Sequence, residues 1–442
     1  MLKSGVIPKE EPLLKVGIVL PEDNQQSVDL VLKDVESTLL VINDQFSVPV
    51  AITDHKIEVA IVEDTLRIKS YNISETIRNI KLIQEIGNTS IDTYPVIAGR
   101  GFHWTKHIHV KLPFTIELKI VDGLLLLVNE LPLETYLACV STSEMGAECP
   151  GSFIETQTIV ARSWMLANVE QKHVQFGIDV CNDDCCQRYQ GTNNLTEVSK
   201  AGAVKTRGQV LMFDNKICDA RYSKSCGGIM EKFENLWEGG PLPYMQNIPD
   251  SKKDISIDLS NEPEMKKWVK SIPETFCSPH FIPEKELKKY LGSVDEEGQY
   301  FRWTVTTSQK EIVSNLNDKI NLNIKTLVSL NPLKRSGSGR LLELEIIYID
   351  KSHTQHSVII YKDYEIRRVL HKKFLYSSAI IIEDIISENS MYPEGFVFKG
   401  AGWGHGAGLC QIGGLGMALN GYNKEDILYH YYPGSRLKKI YS

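Results

Sequence analysis

Glu144 stands in the stretch "STSEMGAECP", residues 141–150, among small hydroxyl residues and directly before a Pro-Gly break. Leu133, Tyr136, Leu137 and Val140 precede it at helical spacing. Eleven residues separate Leu133 from Glu144, and at ~100° per residue the two side chains lie about 20° apart on a continuous helix. The apolar stripe that turns toward a core therefore turns Glu144 inward too, at or just past the helix end. A carboxyl group held there, partly desolvated, can give and take a proton; a capping or salt-bridged glutamate is the plainer reading.

A second set of reactive side chains lies in "KHVQFGIDVCNDDCCQRYQG". His173, Cys181, Cys185 and Cys186 bring one imidazole and three thiols into fourteen residues. That is the type and number of ligands a closed tetrahedral zinc site uses, although the spacing matches no standard ribbon. Reduced, partly buried thiols are the competing reading. His103, His107 and His109 in "HWTKHIH" have no thiol or carboxylate beside them in sequence and make a poorer metal site.

Glycine occupies alternate positions from 400 to 408 in "KGAGWGHGAGLCQIGGLG". An extended segment of that pattern would present bare backbone on one face, and Ala401, Trp403, His405 and Ala407 on the other. Bare backbone admits close approach, and Trp403 offers a flat platform for a sugar ring. No Gly-Lys-Ser/Thr follows, so it is not a phosphate-binding loop. The stretch "ARYSKSCGGIMEKFENLW" adds hydroxyls, a Gly-Gly pair, Glu231, Glu234 and Asn235, as a polar binding loop would.

The elements that must position these groups read as strand-rich. Residues 11–130 supply "KVGIVL", "VDLVLK", "STLLVI", "KIEVAIV", "HIHVKL", "FTIELKI" and "LLLLVN", divided by turn residues. Asp122-Gly123 is the pair a two-residue hairpin turn favours. Helical spacing begins near residue 131, breaks at Cys149-Pro150-Gly151, and resumes with Ile154, Thr158, Ala161 and Met165. Asn423 is a candidate N-cap for a helix over "NKEDILYHYY". The pattern predicts an α+β fold in four parts. These are an N-terminal β-rich domain (1–112), a first core part (113–250), a mixed helical insertion (251–335) and a second core part (336–442).

Composition narrows the function. The chain has 442 residues, 42% hydrophobic and 24% charged, with a net charge of −7. That balance argues against a broad nucleic-acid-binding face. No apolar run approaches the ~20 residues that cross a bilayer. The start shows no long apolar signal region. Nine cysteines, an odd number scattered along the chain, do not suggest a disulfide framework.

In this order, the stretches "LPLETYLACVSTSEMG", "TQTIVARSWML", "DVCNDDCCQRYQG", "YSKSCGGIMEKFENLWEGGPLPY" and "GAGWGHGAGLCQIGGLGMALNGY" resemble the SpoIID/LytB family, the stage II sporulation protein D and amidase-enhancer group. The resemblance spans most of residues 113–442. It implies a β-rich SpoIID-like domain with helices around a catalytic groove and an N-terminal β-rich extension. It further implies action on peptidoglycan glycan strands in the cell envelope. The activity would be that of a lytic transglycosylase that cleaves MurNAc-GlcNAc bonds in denuded strands and leaves 1,6-anhydro-MurNAc ends. The glutamate of the family's "EM" motif is Glu144, the implied catalytic residue. Structural zinc is implied at His173, Cys181, Cys185 and Cys186. Substrate contacts are implied at Tyr189, Ser223, Lys224, Ser225, Gly227, Gly228, Glu234, Asn235, Trp403, His405 and Gln411.

This chain departs from the family pattern at several positions. The histidine of "HSTSGG" is Ser223 here, its next serine is Lys224 and its last serine is Cys226. Cys410 replaces the serine before the glutamine of "MSQYG", and Cys185 falls where the pattern often has histidine. Two other functions compete with the lytic reading. One is a non-catalytic glycan-binding activator of a cell-wall amidase. The other is a thiol hydrolase using Cys226 or Cys410 with His405, for which no orienting Asn or Asp stands out.

Overall fold

The computed structural model describes residues 1–49, 55–69, 76–84, 89–101, 105–253, 255–291, 298–388 and 390–442. His103 of the "HWTKHIH" stretch lies outside them. The fold is mixed α+β and rich in strand, at 34% strand and 24% helix. It divides into two compact units. The first holds residues 1–219, with 290–294 and 437–442; the second holds 220–289 and 295–436.

The first unit carries two large antiparallel sheets that join the seven strands the sequence announces with four it does not: Phe46–Pro49, Thr65–Ile68, Asn79–Gln84 and Ser90–Ala98. One orders Leu13–Val19, Leu124–Pro132, Thr115–Val121, Asn79–Gln84, Thr38–Ile42 and Phe46–Pro49 side by side, with the two-residue strand Val180–Cys181 added in parallel beside Leu13–Val19. The other orders Thr65–Ile68, Lys56–Val62, Ser27–Leu32, Ser90–Ala98 and Lys106–Pro113. Asp122 and Gly123 turn the chain between Thr115–Val121 and Leu124–Pro132, both at positive φ (52° and 74°), as a primed hairpin turn requires. Strands on both sides of residue 112 share this first unit, whose main segment runs to Asp219.

Three helices follow: α1 (Leu133–Glu144), α2 (Gly151–Ala167) and α3 (Glu197–Lys205). Leu133, Tyr136, Leu137 and Val140 of α1 join Ala161 and Met165 of α2 in the same core as Val16, Leu30, Val59 and Leu82. Nearly every residue of α1 is buried, because α2 and α3 cover the sides the sheet leaves open. An amphipathic reading underestimates such a helix.

In the second unit, Arg302–Ser308, Gly395–Ala401 and Ile380–Ile385 form one antiparallel sheet, and Ile324–Arg335, Leu341–Asp350 and Gln355–Tyr361 form another. Helices Gln309–Ile320 and Asp363–Leu370 close over them around Ile312, Leu316, Leu344, Ile366 and Phe396. Residues 251–335 do contain the expected short helices, Glu262–Val269 and Glu284–Leu287. Their later half supplies strands to these sheets and is built into the unit. Asn423 caps the helix Lys424–Tyr431 by accepting from Asp426 N at 2.9 Å.

Candidate active site and metal centre

Glu144 is the last residue of α1 and is 8% exposed. Its Oε1 accepts the backbone N–H of Arg188 at 2.9 Å. After Glu144 the chain turns to extended geometry at Met145, and Gly146 N donates to Tyr290 O at 2.7 Å. The nearby Glu134 differs in kind. Its carboxylate takes a fork of hydrogen bonds from the fully buried Arg162, another from the Tyr441 hydroxyl at 2.7 Å and one from Gly208 N at 3.2 Å. Glu134 is a structural ion pair, whereas Glu144 closes a helix against a loop.

That loop contains the sequence-predicted metal ligands, and the first unit holds it by many polar ties. Asp179 accepts from Leu2 N and Lys15 N. Asp183 accepts from Gly99 N and Arg100 N. Arg100 reaches Asn182 Oδ1, Ile18 O and Asp23. On the helix side, Gln187 donates to Ala161 O at 3.1 Å and accepts from the Tyr136 hydroxyl.

Within the loop, the donor atoms of His173, Cys181, Cys185 and Cys186 all lie within 4.8 Å of one another. Cys185 Sγ is 3.7 Å from His173 Nε2, 4.0 Å from Cys186 Sγ and 3.0 Å from Cys181 Sγ. Zinc–sulfur bonds of about 2.3 Å in a tetrahedron put ligand sulfurs about 3.8 Å apart, so the set fits zinc with a small opening of one pair. The thiols of Cys181 and Cys186 and the ring of His173 hold Cys185 well below the usual thiol range, toward the thiolate a metal needs.

Two further groups of this site went unmarked in the sequence. Arg188, besides its N–H to Glu144, forms an ion pair with Asp184 (Nε to Oδ1, 3.1 Å). Burial pushes the Asp184 carboxyl up to about 7; Asp183 and Glu144 push the same way and Arg188 opposes them. Its side chain keeps 25% of its surface in solvent, which tempers that shift. The i,i+4 pairing of Asp184 with Arg188 inside "DDCCQR" was the available signal. Tyr189, among the implied substrate contacts, is fully buried, with its hydroxyl on Asn129 Oδ1 at 2.7 Å and its ring stacked on Tyr136.

The other implied substrate residues belong to the second unit. The glycine segment is not the extended strand its alternation suggests. Regular pairing stops at Ala401, and Gly402, Gly404, Gly406 and Gly408 all take positive φ between 67° and 92°. The close approach is made by the chain itself: a Cβ on Gly406 would sit 2.2 Å from Arg340 Nη2. Trp403 pairs through its backbone with Ser225 in both directions. Its ring stacks on Tyr376 at 4.0 Å and tilts against Tyr300. Ser223 Oγ accepts from Gly406 N at 3.1 Å. His405 Nδ1 accepts from Ala407 N, and its ring meets the edge of Trp237. Gly227 and Gly228 form a left-handed turn, and Lys224 and Gln411 are buried. Asn235 Nδ2 donates to Glu231, a buried carboxylate that also accepts from Ser336, Ser338 and Asn247. Glu234 Oε2 is buried with no hydrogen-bond partner among the described residues.

Residues 122–213 match the family described as Stage II sporulation protein, and residues 231–408 match Domain of unknown function (DUF8618). The first match lies inside the first unit and covers α1, α2 and the Cys-His loop. An uncharacterized protein of Brachyspira hyodysenteriae (strain ATCC 49526 / WA1) is 22% identical over 70% of this chain and 67% of its own length. The Amidase enhancer of Bacillus subtilis (strain 168) is 23% identical over 67% of this chain but only 39% of its own length. Stage II sporulation protein D of Bacillus amyloliquefaciens is 24% identical over 70% of this chain and 74% of its own length. A Stage II sporulation domain thus lies around α1 and the Cys-His loop, and the chain is similar over 67–70% of its length to relatives of both named types, in keeping with its resemblance to the SpoIID/LytB family.

Proposed function

We propose that the protein is a peptidoglycan lytic transglycosylase with Glu144 as its single acid and base. The observation that carries this reading is the setting of Glu144: a largely buried carboxylate at a helix end, whose Oε1 accepts the backbone N–H of Arg188. Protonated Glu144 gives its proton to the glycosidic oxygen as the C1–O bond breaks. The resulting carboxylate removes the proton of the muramoyl C6 hydroxyl, and that oxygen bonds to C1. The carboxyl group ends protonated as it began, no water is consumed, and the product is a 1,6-anhydro ring. Hydrolysis by a glycosidase ordinarily uses two carboxylates; an attacking hydroxyl within the substrate lets one suffice.

Arg188 N–H fixes the direction of the carboxylate, and the Cys-His loop fixes Arg188. His173, Cys181, Cys185 and Cys186 would hold zinc, which when bound supplies a structural cross-link to that loop. Substrate of this kind places the protein in the cell envelope. The implied glycan contacts of the second unit, Trp403 foremost, would bind the strand.

A second reading follows from the printed name of one relative, the Amidase enhancer. A glycan-binding activator of a cell-wall amidase would use the same surfaces without bond cleavage. Incubation of the purified protein with stem-peptide-free glycan strands separates the two. Anhydro-muramic ends support the lyase, and unaltered strands with stimulated amidase support the activator.

A further inference from the structure

The second unit brings together four side chains that the proposed reaction does not use: Cys226, Asp250, Cys277 and Cys410. Their ligand atoms all lie within 4.8 Å of one another and all four residues are buried. Cys226 Sγ and Cys277 Sγ are 3.8 Å apart, the edge expected of a tetrahedral zinc–thiolate site. We propose that these four residues form a second, closed metal site that takes zinc through three thiolates and one carboxylate.

The surroundings are arranged for anionic sulfur. Cys410 Sγ accepts backbone N–H groups from Cys226 at 3.2 Å and from Gly413 at 3.4 Å. It is the N-cap of the helix Gln411–Leu419, where the helix end favours negative charge. Cys226 Sγ accepts Gly228 N at 3.4 Å across the left-handed Gly227-Gly228 turn. Such N–H donors to ligand sulfurs are the outer support a metal site needs.

Asp250 decides between a metal site and ordinary buried thiols. Its side chain is wholly buried. Oδ2 accepts Cys277 N at 3.0 Å and Oδ1 accepts the Tyr431 hydroxyl at 2.7 Å, with His430 Nε2 at 3.5 Å. A Cβ on Gly413 would come within 2.5 Å of Oδ2, so the helix is kept bare where the carboxylate sits. Burying a carboxylate among three thiols is costly for apolar packing and natural around a divalent cation. A disulfide between Cys226 and Cys277 would leave the Cys410 sulfur, which gathers two backbone N–H donors, outside the pair. Thiolates in a closed four-coordinate set favour zinc over magnesium or calcium.

Cys226 and Cys410 both stand where the family motifs carry serine, and Cys277 comes from the segment between them in sequence. The metal would therefore tie the "YSKSCGG" and "GWGHGAGLCQ" stretches to the 250–277 loop and set the positions of Ser223, Lys224, Ser225 and Trp403. The site is a support, with every ligand below the surface.

The test is zinc content of full-length protein purified without chelator. The expected result is two equivalents in the wild type and one in each of Cys277→Ser and Cys185→Ser, the latter emptying only the Cys-His loop. Cys277→Ser with the wild-type zinc content would overturn the second site, as would a Cys226–Cys277 disulfide in the mass spectrum of unreduced protein. If Cys277→Ser does not fold, cobalt(II) added to metal-free wild type decides. Thiolate-to-cobalt absorption that rises through two equivalents supports the proposal, and saturation at one overturns it. Loss of zinc from Cys185→Ser alone would leave the first site standing without the second.

Discussion

Arg188 donates its backbone N–H to Glu144 Oε1 at 2.9 Å across 44 residues of sequence. A backbone donor cannot be removed by changing the arginine side chain, so this contact depends on the path of the loop. The catalytic proposal and the loop's construction are therefore coupled.

Glu144→Gln keeps the side chain's shape and an oxygen for the Arg188 N–H but removes the transferable proton. Release of anhydro-muropeptides should fall by about 10²–10⁴, the usual worth of general acid–base assistance, while glycan binding persists. Glu148 is exposed, and Glu148→Gln should leave the rate unchanged. Equal rates for the wild type and Glu144→Gln would move the protein to the activator reading.

The loop supplies the next expectation. Cys181→Ser should lose about one equivalent of zinc, as measured on protein purified without chelator. Anhydro-product release should fall with it, because the segment from Cys181 to Arg188 would no longer be cross-linked. Zinc lost with the rate intact would show that the polar ties of Asp179, Asn182 and Asp183 hold the loop unaided.

How far the residues announced this arrangement differs from group to group. Strand alternation over residues 11–130 and the Leu133–Val140 stripe were legible, because sheet and helix periods are local properties. So were the Cys-His cluster and Glu144, which lie in short, distinctive stretches. The Arg188–Glu144 contact was not, since a backbone N–H carries no residue signature. The Cys226, Asp250, Cys277 and Cys410 cluster spans 185 residues and only folding assembles it. The glycine alternation misled for a physical reason. Period two reads as a strand, yet glycine alone also permits positive φ at every second residue, and tight packing against Arg340 and Ser223 selects that conformation.

Glu134 shows why not every nearby glutamate can serve as a control. Removing its charge leaves the fully buried Arg162 guanidinium without its anion. Glu134→Gln should destabilise the protein by about 3–5 kcal/mol, the usual cost of breaking a buried pair from one side. The urea midpoint reads this directly. A Glu144→Gln variant should shift the midpoint far less, since its amide oxygen still accepts the Arg188 backbone N–H. Matching shifts would mean that Glu144 is a structural glutamate after all.

His405 gives a pH signature confined to the second unit. Desolvation holds its pKa well below the ordinary histidine value, and Arg221, Arg340 and Arg367 add to the effect. The folded protein therefore keeps the ring neutral, while the unfolded chain protonates it near its normal pKa of about 6.5. The sign follows. Below about 6.5 the unfolded state binds a proton the folded state refuses, so this contribution to stability is complete above that pH and is lost as pH falls. Asn at position 405 keeps an acceptor for Ala407 N–H without a titrating ring. Urea midpoints at pH 7.5 and 5.5 should differ more for the wild type than for His405→Asn. An unchanged difference would mean that the fall arises elsewhere and that protonated His405 is accommodated among the three guanidinium groups.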